Sequence, residues 1–416
     1  MSALFIFFGQ FSAHDVTLTP TAEDLDCNDC TNTDPMCFNF QVGDADSFMN
    51  FRDCMPFRRN FDQSVEFDCP SEYRNQFDGN THFLDSSNVY GSNEEEDELV
   101  RLYEDGLLKF SDIPGSNMES LPIVDITKCP ERIGCFVAGD ERSEENTLLT
   151  AVHTLFMRNH NLMAREYKEK FPFADDETIY QEIRRINNAI YQHIFYNEWL
   201  SMTVGIEVSR AYNLSPLQSG YLYDYDNTIV PNVFNEYQTS AGRLHTFLHE
   251  DIHRATNELV DVGTTHLTDE IFNTRDAFFN FDLLAHGLLV GPSNSPNAPE
   301  MSNSMNNRLF ENFVFQDRTD SNSGLNTTSV TALNMQRARD HGIPSYNSYR
   351  VMFGLKFAET FDDLSDFISP ESIEEFKRVY MNVNDIDLFY GMISEFPVPG
   401  GLVGPTQASK FRYFNF

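Results

Sequence analysis

Apolar residues recur with the period of an α-helix along two long stretches of the chain. In Thr147–Lys170, six large apolar side chains fall at helical spacing, which predicts a core helix that ends before Pro172. Glu177–Leu200 carries the same period. Residues 20–80 instead mix Asp, Asn, Pro and Cys without a clear period, so we expect loops there. No internal repeat or low-complexity linker divides the sequence, and the pattern predicts one large, mainly α-helical domain with little β-structure over residues 1–416.

The apolar run at the start of the chain leads directly into polar residues that could carry chemistry. If Ala3–His14 forms a helix, Gln10 and His14 lie four residues apart on one face, while Asp15 points elsewhere. Such a helix can present an imidazole to one site and a carboxylate to another. A buried core histidine beside a solvated aspartate is the simpler interpretation of this stretch taken alone.

A second polar stretch contains alternating residues that could offer oxygen ligands. In an extended segment, Thr81, Phe83, Asp85 and Ser87 would fall on one face. Hydroxyl, carboxylate and backbone carbonyl oxygens at this spacing suit Ca²⁺, and Asp15 could supply a further carboxylate. An ordinary polar turn is the alternative.

Acidic helices are predicted outside the two long helices. Ser92–Glu95 matches a capping box that opens one of them, with Leu99 and Leu102 on one face. Further acidic helical segments extend to about Glu395, followed by a Gly/Pro turn and a short aromatic tail. The acidic run after the capping box suits a helix N-terminus and needs no functional interpretation.

Three further groups of residues could line a reaction site. Arg142 and Glu145 stand three residues apart at the entrance of the long helix, either as a surface ion pair or as a cation and a carboxylate aimed into a cavity. His245 and His249 are spaced to share a helix face, but they lack the Glu of a zinc-protease motif. The stretch Ala332–Asn347 is dense in polar groups where an apolar run would be expected.

Composition narrows the functional class. The net charge of −35 disfavours nucleic acids and anionic membrane surfaces, which both attract Lys and Arg. No stretch approaches the roughly 18–20 apolar residues of a membrane span. A hydrophobic content of 41% with 38 Phe indicates a globular chain with a large aromatic core. The charge is expected to keep the protein in solution.

The seven cysteines are clustered rather than scattered. Five fall between residues 27 and 69 and two lie close together further on: Cys27, Cys30, Cys37, Cys54 and Cys69, then Cys129 and Cys135. Zinc binding would need a second pair to match Cys27 and Cys30, so disulfides in an oxidising compartment are the better interpretation. The odd number leaves one thiol free or its partner absent. The sequons at Asn213 and Asn326 fit secretion.

Four stretches, in this order, resemble the animal haem peroxidases, the family that includes myeloperoxidase, peroxidasin and peroxinectin. Residues 9–15 (GQFSAHD) are similar to the distal-histidine motif of that family, and residues 81–92 (THFLDSSNVYGS) to its calcium loop. Residues 138–145 (AGDERSEE) are similar to its distal-arginine segment and residues 333–347 (LNMQRARDHGIPSYN) to its proximal-asparagine segment. The resemblance runs from about residue 4 to residue 404. Four collinear motifs are far more specific than any one of them.

On the distal side, the resemblance implies that His14, Gln10 and Arg142 line a haem b. A neutral histidine can take a proton from one peroxide oxygen and return it to the other, while a fixed guanidinium stabilises the charge on the departing oxygen. In mammalian members an Asp directly before the distal histidine forms an ester with the haem, and that position is Ala13 here. Glu145 matches the second ester-forming acid. At most one ester link, through Glu145, is therefore expected.

On the proximal side, the resemblance implies that His245 ligates the haem iron. Asn334 would hydrogen-bond the other ring nitrogen of His245 and so fix its orientation, and Arg337 would meet a haem propionate. The family pattern has Arg three residues before this histidine, whereas Arg243 stands two residues before His245. His249 is the main competitor for the iron.

The resemblance also implies a calcium site, held by Asp15, Thr81, Phe83 through its carbonyl, Asp85 and Ser87. Asp15 directly follows the distal histidine in the sequence. It would therefore link the calcium site to the catalytic site.

The implied activity is that of a secreted haem peroxidase, which reduces hydrogen peroxide through a ferryl haem and oxidises a halide, thiocyanate or a phenol. Asn146 stands where myeloperoxidase has the Met of its sulfonium link, so bromide, thiocyanate or phenolic donors are expected rather than chloride. A catalytically weak or inactive adhesion module with an extracellular-matrix or cell-surface partner is the alternative. A fatty-acid oxygenase is a third interpretation and would need a radical-forming tyrosine near the proximal segment, where Tyr237 lies.

The family comparison also implies features of the chain ends and cysteines. The family has a longer segment before the distal helix and a further helix after residues 401–406, so the chain resembles a family domain shortened at both ends, without its signal segment. Three disulfides are implied, with Cys69 left over. The pairs are Cys27–Cys37, Cys30–Cys54 and Cys129–Cys135.

Overall fold

The computed structural model describes most of the chain. The described residues are 1–21, 25–44, 46, 48–49, 53–62, 73–116, 118–123, 136–221, 223, 226–228, 232–295, 300–310 and 328–411. Within them the mainly α-helical fold is confirmed, and the strands form three two-stranded antiparallel sheets.

The bounds of the elements are as follows. The α-helices are Ala3–Val16, Ser87–Tyr90, Glu94–Val100, Thr147–Lys170, Asp176–Ile194, Ser201–Val204, Ile206–Ala211, Leu267–Glu270, Thr274–Phe279, Phe281–Val290, Asn303–Asn306, Val330–Asp340, Tyr346–Met352, Pro370–Val379, Leu388–Ile393 and Pro405–Lys410. The 3-10 helices are Glu141–Glu144, His245–Phe247, Phe361–Asp366 and Val383–Asp385, and the π-helical turns are Phe195–Leu200 and Tyr237–Ala241. The strands pair as Phe40–Gln41 with Cys54–Met55, Ser111–Asp112 with Glu119–Ser120, and Asp251–Ala255 with Asp261–His266.

The first helix, Ala3–Val16, lies in the centre of the molecule. Apolar side chains surround most of its circumference and most are buried, as expected for a helix that crosses a core. It packs against the long helix Thr147–Lys170. Gly9 permits close contact with Trp199, because an added Cβ would lie 2.9 Å from an atom of the indole ring. The predicted helix is confirmed and extends two residues beyond His14.

The two long helices agree with the apolar period. Thr147–Lys170 has the predicted bounds, and Asn146 caps it by accepting a hydrogen bond from a main-chain N–H. The second, predicted over Glu177–Leu200, is α-helical over Asp176–Ile194 and continues as a π-helical turn. Such a turn widens the helix locally, which an apolar period does not reveal.

The acidic helix begins one residue later than predicted. Asn93, not Ser92, is the residue that caps Glu94–Val100, because its side chain accepts a hydrogen bond from the N–H of Glu96. The Glu96 carboxylate in turn accepts from the N–H of Ser92 at 2.7 Å. Leu102 lies beyond the helix end, so the predicted apolar pair on one helix face is wrong.

The early loop region is held by two disulfides. The predicted pairs Cys27–Cys37 and Cys30–Cys54 are confirmed. Cys69, Cys129 and Cys135 lie outside the described residues, so the third predicted pair stays a prediction. Of the two sequons, Asn213 is exposed and Asn326 lies outside the described residues.

Candidate active site

His14 lies in the last turns of the first helix, with its ring between two carboxylates. Nδ1 is 3.9 Å from Asp140 Oδ1, and Nε2 is 3.8 Å from Glu145 Oε2. Nδ1 is buried and has no hydrogen-bond partner among the described residues. Burial lowers the pKa of His14 well below 6.5, and the charge of Arg142 lowers it further. The imidazole is therefore neutral at neutral pH.

Arg142 is held in one orientation beside the end of the first helix. The guanidinium nitrogens Nε and Nη2 of Arg142 donate to the Asp140 carboxylate at 2.9 and 2.6 Å. Nη2 also donates to the main-chain carbonyls of His14 at 3.1 Å and Thr17 at 2.8 Å. Burial alone would raise the pKa of Asp140, but the charge and hydrogen bonds of Arg142 bring it well below its ordinary value. The surface ion pair considered between Arg142 and Glu145 does not form, because Asp140 is the partner.

Gln10 connects the first helix to the entrance of the long helix. Its Nε2 donates to Glu145 Oε2 at 2.7 Å, and its Oε1 accepts from Asn146 Nδ2 at 3.0 Å. Burial raises the pKa of Glu145, yet 34% of its side chain is accessible. Gln10 therefore holds a partly accessible carboxylate next to the ring of His14.

His245 occupies the 3-10 helix His245–Phe247 and contacts a buried amide. Its Nδ1 is 3.1 Å from Nδ2 of Asn334, which is fully buried on the helix Val330–Asp340. Oδ1 of Asn334 accepts from Arg243 NH1 at 2.8 Å. Burial lowers the pKa of His245 to about 3, with a contribution from Arg243, so this imidazole is also neutral. The residue is half-buried, so part of it remains accessible.

His249 does not share a helix face with His245, so that prediction is wrong. The 3-10 helix ends at Phe247, and the chain continues into the strand Asp251–Ala255. His249 Nδ1 accepts a hydrogen bond from the N–H of Asp251 at 3.1 Å. The turn is too short to place both rings on one side.

The charge of Arg243 acts on both His14 and His245. Its charge contributes to the lowered pKa of both His14 and His245. Burial lowers the pKa of Arg243 itself to about 10, and repulsion from Arg337 adds to the shift, while Glu145 opposes it. The charge of the Arg243 guanidinium therefore disfavours protonation of both His14 and His245.

Arg337 is the second buried cation of this region. Burial lowers its pKa to about 10. The Arg337 guanidinium nitrogen Nη1 donates to the main-chain carbonyl of Arg58 at 3.0 Å and to Asp340 Oδ2 at 3.2 Å. The guanidinium lies over the ring of Phe57. Two buried guanidiniums that repel each other would be stabilised by an anionic group between them. The carboxylates of a haem would fit this environment.

Asp15 points away from His14 and is fully buried. Its Oδ1 accepts from the Ser87 hydroxyl at 3.0 Å, and the same hydroxyl lies 2.9 Å from the Asp15 carbonyl. Its Oδ2 accepts from the N–H of Ser86 at 3.3 Å. Burial raises the pKa of Asp15 to about 8, and the charge of Asp85 contributes. A cation at this position would stabilise both carboxylates.

The predicted oxygen ligands around Asp15 are brought together by a bent loop rather than an extended segment. Asp85 Oδ1 accepts from the Thr81 hydroxyl at 2.9 Å and from the N–H of Ser87 at 3.0 Å. The Thr81 hydroxyl also lies 3.5 Å from the carbonyl of Phe83. No group of three or more His, Cys, Asp or Glu suited to a metal was found in the described part of the chain. The two carboxylates here would have to be complemented by hydroxyl and carbonyl oxygens.

Some contacts of the site were not predicted from the sequence. Asn80 Nδ2 donates to the carbonyl of His14 at 2.5 Å and to Asp140 Oδ2 at 3.3 Å. Asn80 directly precedes the predicted calcium loop at Thr81, and Asp140 lies within the segment 138–145, two residues before Arg142. In the sequence, only the closeness of Asn80 and Asp140 to Thr81 and Arg142 indicated that they belong to the site.

The family model described as animal haem peroxidase matches residues 1–410, and the chain belongs to this family. The chain is 32% identical to the peroxidasin homolog pxn-2 of Caenorhabditis elegans, an alignment that covers 98% of this chain and 32% of that protein. It is 31% identical to myeloperoxidase of Mus musculus, with coverage of 97% and 57%.

Solved structures share the fold. Peroxidase A from Dictyostelium discoideum superposes with a TM-score of 0.79 at 24% identity, covering 99% of this chain and 76% of that chain. The fatty acid alpha-dioxygenase of Oryza sativa gives a TM-score of 0.73 at 17% identity, with coverage of 99% and 67%. The chain spans 28% to 57% of the length of the curated relatives it matches. Among the described helices, none is long and apolar enough to cross a membrane.

Proposed function

We propose that this chain is the catalytic part of a secreted haem peroxidase that reduces hydrogen peroxide and oxidises a small donor. The observation that carries the proposal is the geometry around His14, whose ring lies between Asp140 and Glu145 beside an Arg142 guanidinium that is fixed by Asp140. Membership of the animal haem peroxidase family supports haem b as the cofactor.

The proximal residues would hold the haem. His245 would ligate the iron through Nε2, since its Nδ1 faces Asn334. Arg337 would meet a propionate. Glu145, whose side chain is 34% accessible, is the only acid expected to form an ester, because Ala13 replaces the other.

Bound haem would supply the two electrons that cleave the O–O bond of hydrogen peroxide. His14 would accept the proton of one peroxide oxygen and return it to the other. Its lowered pKa keeps the ring unprotonated at neutral pH and makes the protonated ring a stronger acid, which favours the return of the proton. Arg142, fixed by Asp140, would stabilise negative charge on the departing oxygen. Gln10 would hold Glu145 beside His14.

The donor would be bromide, thiocyanate or a phenol. Asn146 caps the long helix and donates to Gln10, so it takes a structural role at the position of the sulfonium-forming Met. An extracellular location is supported by the two disulfides and by the exposed sequon at Asn213. A partner in the extracellular matrix or on a cell surface would be compatible with this location.

We also propose that Asp15, Thr81, Phe83, Asp85 and Ser87 bind Ca²⁺. The support is the raised pKa of a fully buried Asp15 beside Asp85, together with hydroxyl and carbonyl oxygens within the same loop. Oxygen ligands of this kind are those that Ca²⁺ prefers. The site would connect the first helix to the loop that precedes Ser87–Tyr90.

The proposal is tested by substituting the distal histidine. The His14→Ala variant is expected to take up haem with an unchanged Soret band but to lose about 100- to 10,000-fold in peroxide turnover, because general acid–base catalysis is removed. Turnover is measured with bromide and with guaiacol. His193→Ala, which removes an exposed histidine from the helix Asp176–Ile194, is the matched control and should keep full activity.

Two outcomes would contradict the proposal. Equal turnover in the His14→Ala variant and the parent chain would remove His14 from catalysis. Haem uptake without any reaction of the parent chain with peroxide would instead favour the adhesion-type module.

A further inference from the structure

A cavity of about 430 Å³ is lined by none of the proposed catalytic residues, although the carbonyl of its lining residue Thr17 accepts a hydrogen bond from Arg142. Its size is within the range of small-molecule sites, roughly 300–1,000 Å³. Five carboxamide side chains line it: Asn75, Gln76, Asn232, Asn235 and Gln238. Each carboxamide carries both hydrogen-bond donors and an acceptor, so this lining suits a polar ligand.

Two of these amides are only half satisfied. Gln76 Oε1 accepts from Asn235 Nδ2 at 3.0 Å, but the Nε2 of the same, largely buried amide has no hydrogen-bond partner among the described residues. Gln238 Nε2 donates to the Thr19 hydroxyl at 2.6 Å, while its Oε1 is buried and also lacks a partner in the described part of the chain. Both atoms are enclosed by protein, so a ligand in the cavity would pair with the other polar atoms of the lining amides. A ligand hydroxyl, which both donates and accepts, could pair with an amide oxygen or an amide nitrogen.

Charge and shape narrow the class of ligand. The described lining contains no Lys or Arg, and its one carboxylate, Asp78, has Oδ2 3.8 Å from Nδ1 of its one imidazole, His82, so an anion would meet a carboxylate and no unpaired cation there. Asp78 Oδ1 accepts from the N–H of Leu18 at 2.7 Å. Phe77 and Phe234 add two aromatic rings to the lining. The cavity thus offers carboxamides, a carboxylate and apolar ring faces together.

A ligand with several hydroxyls fits this lining better than a ligand with one. A monophenol has a single hydroxyl, so it would pair with one or two of the amides. It would also displace water from the cavity and leave the remaining amides without hydrogen-bond partners. A sugar ring carries several hydroxyls around its edge and an apolar face of C–H groups, which can pack on an aromatic ring. We propose that this cavity binds a neutral saccharide of one or two units, either free or at the end of a glycan chain. This proposal stands independently of peroxidase catalysis.

Binding is tested on the full chain by saturation-transfer NMR. The probes are N-acetylglucosamine, methyl α-mannoside and methyl β-galactoside, with sialic acid and guaiacol as comparison ligands. At least one neutral sugar is expected to show transfer, and sialic acid and guaiacol are expected to show none at this cavity. A glycan array in parallel distinguishes the sources: binding in both assays indicates that a free sugar suffices, and binding to the array alone indicates that a chain end is needed.

Variants connect the binding to the cavity. Gln76→Leu and, separately, the exposed Asn232→Ala are each expected to weaken sugar binding about three- to tenfold, the effect of one neutral hydrogen bond. Asn232→Ala is the safer variant for folding, because no described contact of its side chain is lost. Gln181→Leu, which removes an exposed amide from the helix Asp176–Ile194, is the matched control and should bind as the parent does.

The proposal is overturned if no neutral sugar binds in either assay, if guaiacol binds and every sugar fails, or if Asn232→Ala and Gln76→Leu both bind as the parent chain does. Bromide turnover on the same preparation is measured separately. A chain that binds sugar but lacks turnover would contradict the proposed catalysis and leave the saccharide site standing.

Discussion

The contact between His245 and Asn334 determines which ring nitrogen is available to a metal. Iron ligation through Nε2 requires the proton of the neutral ring to be on Nδ1, which then needs an acceptor. Asn334 instead presents its Nδ2 to this atom, because its Oδ1 accepts from Arg243. Haem binding would therefore require the amide to turn and Arg243 to release it. A propionate is a stronger partner for a buried guanidinium than a neutral amide, so it would favour this exchange.

Removal of the Asn334 amide should weaken haem binding. The Asn334→Ala variant is expected to bind haem about 10- to 100-fold more weakly, since the partner that fixes a metal-ligating histidine is lost. Haem titration of the apoprotein, followed at the Soret band, measures the affinity. The iron–histidine stretching frequency of the ferrous protein gives a readout that is independent of activity, and it should fall.

A matched control for this substitution exists on the protein surface. Asn197 Nδ2 lies 3.1 Å from Nδ1 of the exposed His193, the same contact in a different environment. Asn197→Ala should leave haem affinity unchanged. An equal loss in both variants would show that the effect is not specific to His245.

At the scale of elements, the predictions from the sequence agree with the structure where a local pattern determines it. The long helix has its predicted bounds because the period of its apolar residues follows which of its side chains are buried. The π-helical turn Tyr237–Ala241 and the short 3-10 helix at His245 were not predicted, because their geometry depends on what packs around them. The distal and calcium residues fall in short contiguous motifs, so a family resemblance could group them. The contact of Arg243 with Asn334 joins positions 91 residues apart and could not be predicted from spacing.

The last described helix, Pro405–Lys410, supports the proximal segment. Gln407 Nε2 donates to the carbonyl of Ala241 at 2.8 Å, at the end of the π-helical turn. Lys410 is almost fully buried, and its Nζ donates to Glu236 at 2.6 Å and lies over the ring of Tyr349. These contacts fix the backbone just before Arg243.

Loss of the buried ammonium should destabilise the protein. Lys410→Met is expected to lower the free energy of unfolding by about 3–5 kcal/mol, because the Glu236 carboxyl would be left in a mostly buried position without its partner. Chemical denaturation gives the free energy. Lys377→Met, which removes an ammonium paired with Asp362 on the surface, is the control and should change little. A similar small change in both variants would contradict a supporting role for Lys410.

At the scale of the whole molecule, the net charge of −35 opposes compaction, and a bound dication would offset part of this repulsion. The proposed calcium site joins the first helix, which carries His14, to the loop around Asp85. Calcium would therefore stabilise the fold and hold the distal histidine in place at the same time.

Calcium should raise the melting temperature of the protein. At a hundred times its dissociation constant the ion contributes about 2.7 kcal/mol, which over an unfolding entropy of about 2.1 cal/mol/K per residue corresponds to about 3 °C. Mg²⁺ should have a smaller effect, because it prefers a regular octahedral shell with several waters. In Asp85→Asn the calcium shift should disappear. Asp29, an exposed aspartate that also accepts from a nearby N–H and hydroxyl, provides the control Asp29→Asn, which should keep the shift. An equal shift in both variants would place the ion elsewhere, and the absence of any shift in the parent chain would contradict the site, because an ion that binds only the folded state must raise its melting temperature.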